Sequence, residues 1–92
     1  MEIEPDERPL LEEFGALIQQ LRITRGLSAD EFGQRAGMSS ETIADLEHGR
    51  SEYPLLELTA ISRGLGMDLS AIFRIWDARH LAYDTRDDDE RN

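Results

Sequence analysis

Residues 37–50, GMSSETIADLEHGR, combine carboxylates that accept hydrogen bonds with side chains that donate them. Glu41 and Asp45 are four positions apart, and side chains at that spacing share one face of a helix. Ionised carboxylates only accept, and the amino group of cytosine is one donor that they fit. His48 and Arg50 follow in the same stretch and can donate to anions such as phosphate. The stretch therefore offers hydrogen bonding to a polar, charged partner.

Capping signals on both sides place this stretch on a short helix that follows a tight turn. The sequence SADE at 28–31 is a capping box, which begins one helix, and Gly37 ends it. Ser39 then caps a third helix, with Gly49 just past its end. The inward residues of these two helices are Phe32, Ala36, Ile43 and Leu46. Two short helices joined by such a turn follow the helix-turn-helix plan.

Apolar residues at helical spacing predict three further helices. The first covers 10–25, starts near Pro9 and ends at Gly26, and the fourth runs from about Pro54 to Arg63. A fifth begins after Asp68 and extends to about Tyr83. In the first helix, the residues at helical spacing are Leu10, Phe14, Leu17, Ile18 and Leu21, and the inward residues of the fourth are Leu55, Leu58 and Ile61. One stripe of the fifth helix holds Leu69, Ile72, Phe73, Trp76, His80 and Tyr83. With no strand pattern, the sequence predicts a compact all-α domain of five helices.

The charge is concentrated at the two ends of the chain. The protein has 92 residues and a net charge of −10. Residues 14–76 hold eight acids against six arginines, so this central segment is nearly balanced. We predict a flexible acidic arm at 1–9, the domain at 10–76, and a helix extension with a disordered acidic tail at 77–92. An acidic chain disfavours unspecific nucleic-acid binding but leaves room for a local basic face.

Other classes of function lack the residues that they need. There is no cysteine, and the two histidines fall on different predicted helices, so we expect no metal site and no cofactor. No set of residues suggests a catalytic centre, which predicts that the protein is not an enzyme. No apolar run is long enough to span a bilayer, and the acidic start lacks the features of a secretory signal. We therefore expect a cytoplasmic protein that is not bound to a membrane.

The order of these motifs resembles the Cro/C1-type, or XRE, family of helix-turn-helix DNA-binding proteins over residues 14–73. The resemblance rests on RxxRGLS at 22–28, AGMS at 36–39, LExGR at 46–50 and LGM at 65–67. Further matching residues are Glu31, Phe32, Thr42, Ile43, Leu58, Ile61, Leu69, Ser70, Ile72 and Phe73. It implies a lambda-repressor-like domain, to which the predicted fifth helix adds a C-terminal extension. It also implies that the third helix enters the major groove of double-stranded DNA.

The resemblance also implies roles for single positions. The implied base-reading residues are Ser40, Glu41, Thr42 and Asp45. The implied phosphate contacts are Ser28, Arg35, His48 and Arg50, with Arg25 as a further candidate. Glu47 matches a glutamate that pairs with an arginine on the first helix, here Arg22, which would turn Glu47 away from DNA.

Two departures from the family leave alternatives open. The positions of Ser40, Glu41 and Asp45 commonly carry Gln, Arg, Lys, Ser or Asn in the family, and that of Ala29 is often a phosphate-binding Gln. Glu41 and Asp45 are therefore either readers of cytosine or a sign that this face no longer meets DNA.

Apolar and aromatic residues at the end of the fifth helix predict a dimer interface. This interface would be formed by Ile72, Ile75, Trp76, His80 and Tyr83. A twofold pair of reading helices about 34 Å apart would fit successive major grooves. In the alternative, the extension folds back onto the first helix of its own chain.

Two functions follow from this sequence. The first is a sequence-specific transcriptional regulator that acts as a homodimer on a palindromic operator. The alternative is a helix-turn-helix scaffold whose acidic face or tails bind a protein partner such as a toxin, a polymerase subunit or another basic surface.

Overall fold

Five helices make up the part of the chain that the computed structural model describes, residues 8–79. They are α1 (Arg8–Thr24), α2 (Ala29–Ala36), α3 (Ser40–Glu47) and α4 (Leu55–Leu65), followed by α5 at 69–79. No strand occurs in this range. The predicted all-α class and the five helices are confirmed, with α1 starting two residues earlier than predicted. The predicted continuation of α5 to Tyr83, the residues before Arg8 and the acidic tail lie outside the described residues.

The helix boundaries follow from the capping residues that the sequence shows. The Oγ of Ser28 accepts a hydrogen bond from the backbone N–H of Glu31 at 3.0 Å, and the Glu31 carboxylate accepts one from the N–H of Ser28 at 2.8 Å. Ser39 caps α3 in the same way, since its Oγ accepts from the N–H of Thr42 at 3.1 Å. Each cap satisfies amide groups that have no partner within the helix. The turn between α2 and α3 is therefore bounded by two local signals.

The core draws on all five helices. Its buried apolar residues are Phe14, Leu17, Ile18, Phe32, Ile43, Leu46, Ile61, Leu65 and Ile72. The interaction of α4 with α2 is close at Gly64, where a Cβ would stand 2.8 Å from the ring of Phe32. The prediction that Leu55 points inward is wrong, because its side chain is 69% exposed. Leu55 is the first residue of α4, and that turn projects beyond the part of the helix that contacts the core.

The helix α5 packs on α1 of the same chain. The ring of Trp76 meets that of Phe14 edge-on, with centroids 5.2 Å apart, and Phe73 stacks on Phe14 at 6.0 Å. One turn further along α5, the Nη2 of Arg79 donates a hydrogen bond to Oε1 of Gln20 at 3.0 Å. Over the described residues, this is the folded-back arrangement.

The prediction that Ile72 belongs to a dimer interface is wrong. Its side chain is fully buried in the core of its own chain, so it has no surface to offer a second copy. The spacing of residues on α5 placed Ile72 on one stripe with Trp76, His80 and Tyr83, but a stripe that wide also includes the face that packs on the core. Ile75 and Trp76 are half-buried and keep some exposed surface. His80 and Tyr83 lie outside the described residues.

Candidate nucleic-acid interface

The C-terminal half of α3 lies directly on α1, with almost no space between the two backbones. A Cβ on Gly15 would stand 2.5 Å from the carbonyl oxygen of Glu47, and it would also meet the carbonyl oxygen of Leu46. Just past α3, Gly49 has a φ of +72°, and a Cβ there would stand 2.7 Å from the backbone of Glu12. Side chains at these two positions would push the helices apart. The position of α3 is thus fixed by contact with α1.

A bidentate ion pair supports the same contact. The Nε of Arg22 donates to Oε2 of Glu47 at 2.6 Å, and its Nη2 donates to Oε1 at 3.1 Å. Its Nη1 donates to the carbonyl oxygen of Leu27 at 3.0 Å, which ties the loop before α2 to the same group. The hydrogen bond to Glu47 raises the pKa of Arg22 above its ordinary value, although burial acts against it. The structure therefore brings together the two residues that the resemblance paired, and Glu47 belongs to the fold.

Tyr53 is a further support of α3 that the sequence reasoning missed. Its hydroxyl donates to the carbonyl oxygen of Leu46, and its ring lies edge-on to Phe14 with centroids 4.8 Å apart. Burial raises the pKa of Tyr53, and the charges of Glu47 and Glu57 raise it further. The only sequence signal was a tyrosine immediately before Pro54, the residue that precedes α4.

The opposite face of α3 carries Glu41 and Asp45. The Nε of Arg50 donates to Oδ1 of Asp45 at 3.1 Å, and the backbone N–H of Arg50 donates to the Asp45 carbonyl at 2.9 Å. Their side chains are 61% and 51% exposed. The charge of Asp45 is therefore partly balanced by an arginine on the same surface. No sequence pattern indicated this pair, because it depends on the chain reversal at Gly49.

The remaining predicted base readers lie at the start of α3. Glu41 is exposed, and Ser40 and Thr42 are half-buried. The hydroxyl of Thr42 is 2.9 Å from that of Ser39, so it shares the N-cap of α3. Thr42 is thus already hydrogen-bonded within the protein, whereas Glu41 forms no ion pair with another residue of the 8–79 range.

The predicted phosphate contacts fall into two groups. Arg50 and His48 lie at the end of α3. Arg35 and Arg25 lie beside Gly66 at the end of α4, where their terminal nitrogens are 3.9 and 3.7 Å from the point at which a Cβ of Gly66 would stand. The first group lies next to the exposed face of α3, and the second lies where α2 packs on α4.

Two of these contacts have internal partners that change their chemistry. The Nδ1 of His48 is 2.7 Å from the carbonyl oxygen of Ala44, and because a carbonyl only accepts, Nδ1 carries the hydrogen. In the neutral ring, Nε2 is then an acceptor, so only the protonated ring donates to phosphate. Ser28 is engaged by Glu31, whose pKa is lowered by the backbone N–H of Ser28 and then by its hydroxyl.

The described residues also form an apolar groove of about 360 Å³. It runs between the start of α1, the loop before α4, α4 itself and α5, and is lined by Leu10, Leu11, Phe14, Glu52, Tyr53, Leu58, Phe73 and Trp76. Leu55 and Leu56, which precede the lining residue Leu58 in the first turn of α4, are 69% and 80% exposed. Exposed apolar surface of this kind is typical of an interface with another protein.

Residues 8–79 contain neither a cluster of metal-ligating side chains nor a helix that could span a membrane. No group of three or more histidine or acidic side chains is placed to hold a metal ion. No helix in this range has the length and apolar character needed to cross a membrane.

Comparison with protein families decides the classification of the chain. The model of the helix-turn-helix domain family matches residues 13–80. The chain belongs to this family. Within this domain, the turn at Gly37 joins α2 and α3. No curated protein sequence matches the chain.

Solved structures of regulators share this fold. The restriction–modification controller protein C.AhdI from Aeromonas hydrophila is 20% identical, with a TM-score of 0.67 over 70% of this chain and 97% of that one. The controller protein C.Esp1396I is 18% identical, with a TM-score of 0.74 over 79% and 95%. The clp gene regulator ClgR from Corynebacterium glutamicum is 25% identical, with a TM-score of 0.65 over 70% and 83%. The helix-turn-helix domain thus has the fold of these proteins.

Proposed function

We propose that this protein is a sequence-specific DNA-binding transcriptional regulator that acts as a homodimer on a palindromic operator. In this proposal α3 enters the major groove, and Ser40, Glu41, Thr42 and Asp45 approach the bases. The observation that carries it is the packing of α3 on α1. The inner face of α3 is fixed to α1, while Glu41 and Asp45 face outward. Similarity to structures of a gene regulator and of restriction–modification controllers supports the same function.

The acidic residues of α3 are compatible with this proposal. Glu47 is buried against Arg22, and Asp45 is paired with Arg50, so two of the three carboxylates have a positive partner. Glu41 lies on the exposed face, where its carboxylate can accept from the amino group of cytosine. Phosphate contact is assigned to Arg35, with His48 joining it when protonated and Ser28 through its hydroxyl, while Arg50 lies beside Asp45 on the base-reading face.

The dimer surface in this proposal is the apolar groove with its exposed leucines. It includes Ile75 and Trp76 from the predicted interface and excludes Ile72. Leu55 and Leu56 would lie at its edge and insert against the second copy. An interface of this composition has the apolar centre that is common in homodimers.

Selection of the purified protein against random duplex DNA tests the proposal. We expect a palindromic site bound with a Kd in the range of roughly 10⁻⁸ to 10⁻¹¹ M. The logarithm of the affinity should fall linearly with the logarithm of salt concentration, because phosphate contacts release counterions. Absence of any enriched sequence, even at low salt, would refute the regulator function.

A second candidate is binding to a basic protein surface through the same face. It is favoured by the acidic residues in the first turns of both helices of the motif, which are Asp30, Glu31 and Glu41. Helix N-termini approach phosphate in DNA complexes, and carboxylates there would repel it. Glu41→Gln separates the two functions, because it should change the selected DNA sequence in a regulator and weaken partner capture in a scaffold.

A further inference from the structure

The pairing of Asp45 with Arg50 assigns these residues different roles from those that the sequence suggested. We infer that Arg50 reads a guanine in the major groove and that Asp45 is a positioning residue that holds its guanidinium for that contact. The inference rests on the proposed function and names the base class that one position of the site would recognise.

The first step is the location of the guanidinium. Asp45 is four positions after Glu41, so both side chains leave the same exposed face of α3. Arg50 lies beyond the end of the helix, but the reversal at Gly49 returns the chain toward it. The bond from Nε to Oδ1 at 3.1 Å then places the planar group of Arg50 beside Asp45. A positive donor therefore lies on the face that the sequence indicated to be acidic.

The second step is the choice of nitrogen that Asp45 occupies. Its carboxylate accepts from Nε and from no other nitrogen of Arg50. The edge formed by the two terminal nitrogens has no hydrogen-bond partner elsewhere in residues 8–79. That edge matches the O6 and N7 acceptors of guanine, which arginine binds in a bidentate manner. The same pair leaves Asp45 with one oxygen already committed.

The third step concerns the energetic value of the pair. An ion pair between side chains that are more than half exposed contributes little to the stability of a fold. Its larger effect is to restrict a flexible side chain before binding, which lowers the cost of ordering it in the complex. A second bond, from the backbone N–H of Arg50 to the Asp45 carbonyl, restricts the start of the same side chain.

A guanine on one strand faces a cytosine on the other, so an enriched G·C pair alone does not identify the reader. The experiment uses the site selected with the full chain, with the guanine of that pair replaced by 7-deazaguanine, which lacks the N7 acceptor. We expect the wild-type protein to bind this DNA about tenfold more weakly than the natural site. Arg50→Ala, which has no side-chain donor, should bind the natural site about tenfold more weakly and should not distinguish the two DNAs.

The role of Asp45 is tested by its effect on the same ratio. Asp45→Ala should reduce the discrimination between guanine and 7-deazaguanine, and Asp45→Asn, which keeps an acceptor, should restore part of it. The double variant with Arg50→Ala should show no loss beyond that of Arg50→Ala alone, because both changes remove one interaction. Arg74→Ala and Asp77→Ala on the exposed side of α5 are matched controls and should leave the ratio unchanged. Thermal unfolding of every variant shows that the fold is retained.

Three results would overturn the inference. If Arg50→Ala keeps the discrimination while Asp45→Ala abolishes the preference for the G·C pair, Asp45 reads cytosine itself. If Arg50→Gln lowers the salt slope by about one without changing base preference, Arg50 contacts a phosphate. If the wild-type chain selects no DNA at all, the proposed function fails and the inference fails with it, which is a distinct outcome from the first two.

Discussion

Asp45 and Glu47 show how the position of a carboxylate on a helix decides its role. Two residues along an α-helix are separated by a rotation of about 200°, so the two side chains leave nearly opposite faces. The side chain of Glu47 is 3% exposed and bonded by Arg22, whereas that of Asp45 is 51% exposed and bonded by Arg50. The same chemical group is therefore part of the fold at one position and part of the candidate interface at the other.

The buried pair should be costly to break and less costly to replace as a whole. Arg22→Met leaves the Glu47 carboxylate buried without a counter-charge, and we expect it to lower the free energy of unfolding by about 3–5 kcal/mol. The double variant with Glu47→Leu should lose less than the single variant, because no buried charge remains. Urea denaturation at neutral pH measures both. An equal or larger loss in the double variant would contradict the assignment of the pair as a desolvated charge contact.

The capping box gives a prediction in acid. The N–H and hydroxyl of Ser28 lower the pKa of Glu31 below its ordinary value of 4.5. A carboxyl group with a lower pKa in the folded state stabilises the protein above its unfolded pKa, and this contribution is lost as the pH falls through the folded value. We therefore expect the stability of the wild-type protein to fall more steeply below pH 4.5 than that of Glu31→Gln. An NMR titration that finds the Glu31 pKa at or above 4.5 would contradict this.

At the scale of helices, the fold depends on the close approach of α1 and α3. The approach requires Gly15, because a Cβ there would meet the backbone of α3 rather than the end of a flexible side chain. Neither helix can move outward freely, since Arg22 and Tyr53 bond the same end of α3. The backbone contact and the two side-chain bonds thus define one rigid junction.

Gly15→Ala should therefore be destabilising even though alanine favours helices. We expect a loss of about 1–3 kcal/mol in the free energy of unfolding, because overpacking outweighs the gain in helix propensity. Ala16→Ser, at the exposed neighbouring position, is the control and should change it by about 0.5 kcal/mol or less. If Gly15→Ala is as stable as the wild type by urea denaturation, the junction is looser than described.

The sequence predicted the elements of this fold better than the contacts between them. The sequence predicted the N-caps at Ser28 and Ser39 and the end of α2 at Gly37, because each depends on hydrogen bonds between residues that are close in the sequence. The exposure of Leu55 and the burial of Ile72 were not, because periodicity gives a face but not the edge of the core. The pair of Asp45 and Arg50 was missed because it forms only when the chain turns at Gly49, and periodicity says nothing of residues beyond the end of a helix.

At the scale of the described residues, 8–79, the protein presents a polar surface on α3 and an apolar groove lined in part by α5. The exposed face of α3 carries the candidate contacts to DNA, whereas Leu10 lines the groove and the exposed Leu55 and Leu56 precede its lining residue Leu58. Neither Glu41 nor Asp45 lines the groove, so a second copy seated there would contact other residues. This is the arrangement that a dimer on two successive grooves requires.

A charge in the apolar surface tests the proposed dimer. We expect Leu56→Glu to raise the dissociation constant of the dimer at least about tenfold, because a carboxylate would have to be buried there. Ile23→Glu is the control, since Ile23 is also exposed but lies at the far end of α1 from the groove. Sedimentation equilibrium over a range of protein concentrations measures both. A wild-type monomer at about 50 µM would exclude the dimer, and equal effects of the two variants would exclude this surface.

The division of α3 into an anchored and an exposed face has a consequence for the history of such proteins. Ile43, Leu46 and Glu47 carry the packing, whereas Glu41 and Asp45 contribute little to it. Substitutions at the exposed positions therefore leave the packing intact, whereas substitutions at the anchored positions change it. Under the proposed function, one copy could acquire a new operator after a gene duplication through these few positions, in single steps that each leave a folded protein. The acidic pattern of α3 is then one solution among many that the same framework tolerates.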